Sequence, residues 1–311
     1  MKDEELRAGG PPEKYDNTMI STWCKCPRSF YWFMRRLQSN VQPPYFTWGR
    51  AFGAGLNAWH EGQGKEESSD LRLLAAKDAA EKEWEKDSPM ESGNDTWDNL
   101  VKVLEEYSWN YGTEEPWTMI YGKGELGFSF PIPGTSILYS GSIDAPIEWK
   151  PYGILIREDK TTGGYITENY INQWQHASQI AGYHWACGLA VGAEPFGTYM
   201  NIVSKRPRKD YHDKFQRVLI KHSEDRIAKF LADTVLIVDD IRREFDRWIW
   251  PKTGERDPIN CAGGAGRSAC TYRRLCLVDM DPWELEDSYN FDAEFVWAAP
   301  WAPWDRAGEN E

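Results

Sequence analysis

A strand that passes from apolar to charged residues is the feature of this 311-residue chain that most constrains its fold. The apolar run at residues 154–156 predicts a buried strand, and it leads into Glu158-Asp159-Lys160. Residues two apart on a strand point to the same face, so Glu158 and Lys160 project together while Asp159 points away. Ionic groups at the end of a buried strand require partners. The sequence therefore predicts a functional site at this end of a sheet.

The sequence also predicts a second carboxylate beside Glu158 and Lys160. Asp144 closes the segment Gly141-Ser142-Ile143-Asp144 on an adjoining predicted strand, and thirteen residues separate it from Glu158. Two carboxylates supply the hard oxygen ligands that Mg²⁺ or Mn²⁺ prefers. The ammonium group of Lys160 is suited to orienting an attacking water or balancing phosphate charge, which favours metal-assisted phosphodiester hydrolysis. The alternative for the Glu158–Lys160 pair is a solvated ion pair of little energetic weight.

The order of the predicted elements indicates the fold class. A first helix is predicted from Asn17 or Ser21 and is interrupted or restarted at Pro27, and the other elements follow from hydrophobic periodicity. Helices are predicted near 48–61, 70–87, 97–111, 172–189 and 223–250, and strands near 126–132, 137–143, 152–160, 197–203 and 215–220. This order predicts an α/β fold in which helices flank a central mixed β-sheet, with a helical N-terminal part and a C-terminal cysteine loop.

Composition limits the compartment and the classes of function. Aromatic residues make up 14% of the chain, which argues against a disordered protein. The net charge of −13 excludes a wholly basic surface but not a local basic groove. There is no run of 18 apolar residues and no signal peptide, so we expect a cytoplasmic protein, in a bacterial or phage-infected cell, that does not bind membranes. No G-x-x-x-x-G-K-[ST] motif is present, which argues against an ATP-driven motor.

Cysteines in a reducing compartment indicate metal binding or catalysis rather than disulfides. Cys261, Cys270 and Cys276 lie in a Gly-rich C-terminal segment, and Cys24 and Cys26 lie near the N-terminus. Their bare spacing matches no common zinc-finger or ferredoxin pattern. Scattered core cysteines are the alternative, and Cys187, on an apolar helix face, is assigned to that class.

The order Asp144…Glu158-x-Lys160 resembles the active site of the PD-(D/E)XK nuclease superfamily. Further residues resemble its RecB/AddB-like branch: Gln179 and Tyr183 match the Q-x-x-x-Y motif after the lysine strand. The resemblance implies a restriction-endonuclease-like core in which Lys160 positions the nucleophilic water. It also implies that the Gln179–Tyr183 pair lies beside the active site and the DNA.

The resemblance extends to the metal ligands. It implies that Asp144, Glu158 and the backbone carbonyl of Asp159 hold Mg²⁺ or Mn²⁺, and that Glu125, in Gly-Glu-Leu-Gly-Phe, assists. One departure is that Gly53 stands where the branch has a metal-binding histidine in an early G-x-x-x-H helix. His60, two turns further on, is predicted to be a surface or core histidine.

The resemblance also assigns the cysteines. AddB-type nucleases and the CRISPR-associated nucleases of spacer acquisition hold a 4Fe-4S cluster through one cysteine of a C-P-[RF]-x-[FY] segment and three of a later loop. Cys26-Pro27-Arg28-Ser29-Phe30 and Cys261, Cys270 and Cys276 match that layout, although the usual first spacing of two residues is eight here. Cys24 remains a rival for Cys26.

These features divide the chain into five predicted regions: a flexible arm (1–16), a helical part with the first cluster cysteine (17–115), a nuclease core (116–250), an iron–sulfur loop (251–280) and an acidic Trp-rich tail (281–311). Basic residues at 205–209, at 273–274 and beside Cys26 are predicted to track phosphates if the chain binds nucleic acid.

Together with the resemblance, which implies an exonuclease on single-stranded DNA or DNA ends, the sequence predicts a metal-dependent DNA nuclease. The implied role is recombination, repair or phage DNA processing, with a helicase or recombination protein as partner. Two alternatives remain open: a DNA-end-binding subunit with little or no activity, favoured by Gly53, and a zinc protein with four cysteines.

Overall fold

Two compact units make up the chain in a computed structural model, which describes residues 1–87, 89–112, 114–253, 258–263, 269–278, 280–286 and 288–307. Unit 1 comprises Met1–Val41, Ser129–Gly141 and Leu231–Trp304, and unit 2 comprises Gln42–Phe128, Ser142–Phe230 and Asp305–Glu311. Each unit is therefore assembled from segments that are distant in sequence. Within the described ranges, no helix is long and apolar enough to cross a membrane.

The elements follow in a fixed order along the chain. The helices are α1 (Asp3–Gly9), α2 (Asn17–Lys25), α3 (Pro27–Met34), α4 (Pro44–Gly64), α5 (Ser69–Glu85), α6 (Trp97–Tyr111), α7 (Glu168–Gln175), α8 (Ser178–Val191), α9 (Glu224–Arg247), α10 (Pro258–Ala262) and α11 (Arg273–Leu277). The strands are β1 (Lys14–Tyr15), β2 (Leu37–Ser39), β3 (Thr118–Met119), β4 (Leu126–Pro131), β5 (Leu138–Ile143), β6 (Ala145–Trp149), β7 (Gly153–Thr162), β8 (Gly197–Ser204), β9 (Phe215–Ile220) and β10 (Phe295–Trp297).

A five-stranded mixed sheet forms the centre of unit 2, in the order β3-β6-β7-β8-β9. Strand β7 runs parallel to β8 and antiparallel to β6, and β8 runs antiparallel to β9. Helices α4 and α8 contact β7, and α7 contacts β9. The predicted α/β fold, a mixed sheet flanked by helices, is confirmed.

Each face of this sheet carries its own core. Ile180 of α8 packs with Met200, Ile202 and Ile220 on one face. On the other face, Val203 packs with buried residues of α4, α5 and α6. In the parallel register Glu158 pairs with Met200 and Lys160 with Ile202, so both charged side chains share the face covered by α8.

Aromatic packing dominates unit 1. The ring of Trp250 lies 5.4 Å from Tyr31 and 6.4 Å from Phe30, both on α3. Strand β10 pairs antiparallel with β2, so the region predicted as a tail contributes a strand to this unit. A second small sheet has the order β1-β5-β4.

The structure also corrects the sequence interpretation in the N-terminal arm, in the helix predicted near 172–189 and at strand β6. The predicted flexible arm contains α1, whose first turn is acidic and which buries Leu6, so it is structured. The single helix predicted near 172–189 is two helices, α7 and α8, separated by an extended Ala177. Strand β6 was not predicted because its second residue is Pro146, which disfavours a strand interior.

Candidate active site

Glu158 and Lys160 form the centre of the candidate site in unit 2. Lys160 Nζ donates a hydrogen bond of 2.5 Å to Glu158 Oε1, so the two side chains project together as the strand alternation predicts. The side chain of Glu158 is 1% exposed and that of Lys160 is 20% exposed. Among the described residues, nothing hydrogen-bonds to the second Glu158 oxygen, Oε2, although it is buried. A buried carboxylate oxygen left open in this way is suited to a ligand.

Asp144 lies directly before β6 and beside this pair. Its Oδ2 accepts a hydrogen bond of 2.8 Å from the backbone N–H of Asp159. Burial raises the pKa of Asp144 well above its usual range, and the neighbouring Glu158 carboxylate raises it further. Burial also raises the pKa of Glu158, which Lys160 partly offsets. Two carboxylates that resist ionisation next to each other form a site where a cation is stabilised.

Lys160 remains charged in this setting. Burial lowers the pKa of Lys160, but the carboxylates of Glu158 and Asp144 act in the opposite direction, and the net pKa is raised. The site therefore contains one fixed positive charge beside two carboxylates.

The Asp159 side chain points to the opposite face, as predicted, and has its own partners there. Its Oδ2 lies 3.0 Å from Arg157 Nη2, and its Oδ1 accepts a hydrogen bond of 2.7 Å from Asn201. The Asp159 carboxylate is thus engaged away from Glu158 and Lys160. The backbone N–H of Asp159 is what contacts Asp144, and the metal-binding role that the resemblance gives to the Asp159 carbonyl stays a prediction.

Two aromatic residues of α7 flank Lys160, and sequence reasoning missed both. Lys160 Nζ lies 5.1 Å from the centre of the Trp174 ring, within cation–π range. The hydroxyl of Tyr170 donates a hydrogen bond of 3.3 Å to the carbonyl of Thr161, which ties α7 to β7. The sequence signal was present, because Tyr170 and Trp174 are one helical turn apart.

Glu125 lies next to Asp144 through its backbone. The Glu125 N–H donates a hydrogen bond to the Asp144 carbonyl oxygen. Glu125 adopts a φ of 58°, in the left-handed region that non-glycine residues rarely occupy. The structure thus brings the predicted assisting glutamate to the strand end that carries Asp144.

Gln179 and Tyr183 lie one turn apart on α8. Gln179 Nε2 donates a hydrogen bond of 3.0 Å to the Tyr183 hydroxyl, and the Tyr183 ring meets Phe128 edge-on at 6.1 Å. Helix α8 packs on β7 and β8. The predicted pair therefore lies on the helix that covers the face bearing Glu158 and Lys160.

His60 is a core histidine, one of the two outcomes predicted for it. It is 2% exposed, and its Nε2 lies 3.2 Å from the hydroxyl of Tyr107. Burial lowers its pKa well below the usual range, and Arg157 lowers it further. At Gly53, where the resembled branch has histidine, an added Cβ would meet no atom within 4 Å.

The four cysteines assigned to a cluster all lie in unit 1 and near one another. Burial raises the pKa of Cys261, and the neighbouring Cys270 and Cys26 raise it further. Burial raises the pKa of Cys276 to about 11, with the same two thiols contributing. The Cys270 N–H donates a hydrogen bond of 3.0 Å to the carbonyl of Cys261. Cys24 is exposed.

Arg28 lies among these cysteines. It is 7% exposed, and its Nε donates a hydrogen bond of 2.7 Å to the carbonyl of Trp250. Burial lowers the pKa of Arg28, whereas the nearby Cys276 and Cys26 act in the opposite direction. Its buried Nη1 has no hydrogen-bond partner among the described residues. A buried cation with an open donor is suited to an anionic group held by the thiols.

In the part of the chain that the structure describes, no three His, Cys, Asp or Glu side chains are arranged to hold a metal ion. The fit of each site to a metal therefore rests on the chemistry of its donors. Those donors are the open Glu158 oxygen beside Asp144 in unit 2, and in unit 1 the four thiols, two of which (Cys26 and Cys276) lie near Arg28.

No family model and no curated protein matches this chain. Among solved structures, it is similar to the crystal structure of a candidate exonuclease from Eubacterium rectale, with 8% identity, a TM-score of 0.48, and coverage of 86% of this chain and 94% of that one. It is also similar to the protein SSO0001, with 13% identity, a TM-score of 0.29, and coverage of 62% and 85%. Both TM-scores lie below 0.5, so the function rests on the residues of the site itself.

Proposed function

We propose that the chain is a metal-dependent DNA nuclease that acts as an exonuclease on single-stranded DNA or DNA ends. The observation that carries the proposal is the carboxylate pair of the half-buried Asp144 and the buried Glu158, in which one Glu158 oxygen has no hydrogen-bond partner among the described residues and the other lies 2.5 Å from Lys160 Nζ. Two neighbouring carboxyl groups whose pKa values are both raised are stabilised in their charged form by a divalent cation, and a fixed ammonium beside them suits a phosphate substrate.

Asp144 and Glu158 would hold Mg²⁺ or Mn²⁺, with the Asp159 carbonyl and Glu125 as further ligands. When bound, the cation supplies Lewis acidity toward a phosphate oxygen and lowers the pKa of a water. Lys160 remains protonated, so it orients the attacking water and stabilises the charge that develops on the phosphate. The Asp159 N–H holds the Asp144 carboxylate in place through its 2.8 Å hydrogen bond.

The test is cleavage of end-labelled single-stranded DNA in Mn²⁺. Glu158→Ala and Lys160→Ala are each expected to abolish cleavage while leaving the fold intact, which circular dichroism and a cooperative melt check, because neither side chain fills an apolar core. Glu148→Ala is the matched control, because Glu148 is an exposed carboxylate on the adjacent strand β6. Undiminished cleavage by either active-site variant would refute the assignment. DNA binding without cleavage by the wild type would favour the DNA-end-binding subunit.

We also propose that Cys26, Cys261, Cys270 and Cys276 hold a 4Fe-4S cluster. The support is their mutual electrostatic influence within unit 1 and the buried Arg28 beside Cys26 and Cys276, whose charge complements an anionic cluster. Because hydrolysis of a phosphodiester transfers no electrons, the expected role of the cluster is structural.

The cysteine pair near the N-terminus provides a matched comparison. Protein purified without oxygen is expected to contain iron and to absorb in the violet. Cys26→Ser should lose the iron, and Cys24→Ser should retain it, since Cys24 is exposed whereas Cys26 is buried. The reverse result would make Cys24 the ligand. A colourless protein that contains zinc would refute the cluster and support the four-cysteine zinc alternative.

A further inference from the structure

An aromatic ring and two guanidinium groups lie together at the end of β7 and β8, with Tyr165 and Arg206 exposed and Arg208 half-buried. Tyr165 is 49% exposed, and it follows β7 after two glycines. The guanidinium carbon of Arg206 lies 4.4 Å from the centre of the Tyr165 ring, and that of Arg208 lies 3.9 Å from it. We call Tyr165, Arg206 and Arg208 the Tyr165 platform.

The structure fixes the platform to the sheet. Ser204, the last residue of β8, donates a hydrogen bond of 2.7 Å to the carbonyl of Gly164. The Lys205 N–H donates another of 2.8 Å to the carbonyl of Thr162. These bonds hold the Tyr165 loop against the chain that leads to Arg206. The ring and the two guanidinium groups are therefore held together by backbone contacts and not only by their own stacking.

Charge distinguishes the platform from the rest of the predicted basic cluster at 205–209. Lys205 is buried and forms an ion pair with Asp95. Within the described residues, neither Arg206 nor Arg208 lies within ion-pair distance of a carboxylate. In a chain of net charge −13, two such cations beside an exposed ring form a local positive site that attracts an anionic partner.

The platform lies on the same strand end as the candidate active site. Tyr165 is five residues after Lys160, a separation of at most about 18 Å for an extended chain. Thr162 pairs with Ser204 at the carboxyl ends of the parallel strands β7 and β8. In open α/β sheets, ligands bind at the carboxyl ends of the strands. A polymer held on the platform would thus be close to Lys160.

We propose that the Tyr165 platform binds unpaired DNA and guides it toward Glu158 and Lys160. Unpaired bases stack on aromatic rings and on guanidinium planes, and arginine also neutralises the backbone phosphates. In duplex DNA the bases are already stacked, so the platform favours single strands. This inference rests on the proposed nuclease function for its biological meaning, but binding can be measured without cleavage.

The experiment measures the affinity of a fluorescent deoxythymidine oligonucleotide by anisotropy, in EDTA, as a function of salt. Tyr165→Ala is expected to weaken binding about tenfold, the effect of losing one stacking residue. Tyr165→Phe should retain wild-type affinity, because the ring remains. Arg206→Ala with Arg208→Ala should lower the slope of log affinity against log salt by about 1.4, since each phosphate that is no longer neutralised accounts for about 0.7.

A similar pair at the opposite end of the same strands provides the matched control. Lys221 Nζ lies 3.4 Å from the centre of the Phe196 ring, which is 37% exposed and directly precedes β8. Phe196→Ala and Lys221→Ala should change neither the affinity nor the salt slope by more than about the error of the measurement. Melting temperatures of all variants exclude unfolding as the cause of lost binding.

The outcomes separate the two proposals. Wild-type binding that the platform variants weaken, and the Phe196 and Lys221 variants do not, supports the platform even if cleavage is never observed. Equal binding by platform and control variants refutes the platform but leaves the nuclease proposal intact. Equal or tighter binding of a duplex of the same length refutes the stacking argument. A wild type that neither binds nor cleaves DNA refutes both proposals.

Discussion

Neutralising Asp144 should stabilise the metal-free protein and at the same time remove its response to metal. Asp144 and Glu158 are carboxylates whose pKa values are both raised, Asp144 by burial and by Glu158. In Asp144→Asn the amide oxygen still accepts the 2.8 Å hydrogen bond from Asp159, but the side chain can no longer ionise. A carboxyl group whose pKa is raised by about one unit on folding costs about 1–2 kcal/mol of stability at neutral pH, and the asparagine removes that cost. That corresponds to a melting temperature about 2–8 °C higher than that of the wild type in EDTA.

A bound metal ion should reverse the order of the two melting temperatures. A cation at about one hundred times its dissociation constant stabilises the folded state by about 2.7 kcal/mol. The wild type should therefore melt at the higher temperature in Mn²⁺, whereas Asp144→Asn should respond little and should not cleave DNA. Thermal melts with EDTA and with Mn²⁺ test both halves of the prediction.

The control for this experiment is Asp233→Asn, which removes one negative charge from an exposed position on α9. It should leave both melting temperatures near those of the wild type. If Asp144→Asn melts at or below the wild type in EDTA, the repulsion argument is wrong. If it retains the full Mn²⁺ response, Asp144 does not hold the metal.

Three other side chains provide further predictions. Trp174→Leu removes the ring whose centre lies 5.1 Å from Lys160 Nζ, and it should lower kcat about tenfold with little change in KM. Trp174→Phe keeps an aromatic ring and should retain most activity. An unchanged kcat in the leucine variant would contradict the role of Trp174 in positioning Lys160. Cys276→Ser should lose the violet absorbance and lower the free energy of unfolding by several kcal/mol. Its control, Cys187→Ser, should retain the absorbance. Equal melting temperatures for the holo protein and Cys276→Ser would show that the proposed cluster does not stabilise the fold. Burial lowers the pKa of His60, so as the pH falls below about 6.5 this histidine takes up a proton in the unfolded chain before it does in the folded protein. The free energy of unfolding therefore falls by up to about 1.4 kcal/mol per pH unit. His60→Leu should remove that share of the slope between pH 7.5 and 5.5.

The sequence predicted the local features of the site because they follow from alternation along one strand. Glu158 and Lys160 share a face and Asp159 faces away for the simple reason that side chains alternate on β7. Helices with strong periodicity were also predicted close to their true bounds, such as α6 at Trp97–Tyr111.

Features that depend on contacts between distant segments were not predictable in this way. Arg157 contacts Asn57 of α4, one hundred positions earlier in the chain, and no local pattern signals that contact. The break between α7 and α8 falls at Ala177, where neither proline nor glycine marks a boundary. The cation–π contact of Trp174 with Lys160 likewise requires α7 to fold back onto β7.

The interleaving of the two units has a consequence for synthesis on the ribosome. The long segments of unit 2 are complete at Phe230, whereas unit 1 needs residues from both ends of the chain. Cys26 precedes Cys261 by 235 positions, which at about 5–20 residues per second is an interval of roughly ten to fifty seconds. During that interval the sheet bearing Glu158 can form while Cys26 has none of its proposed partners. Loading of the proposed cluster then comes after the central sheet of unit 2 can fold. While translation is still under way, the Cys26 thiol is open to oxidation or to binding by other metals.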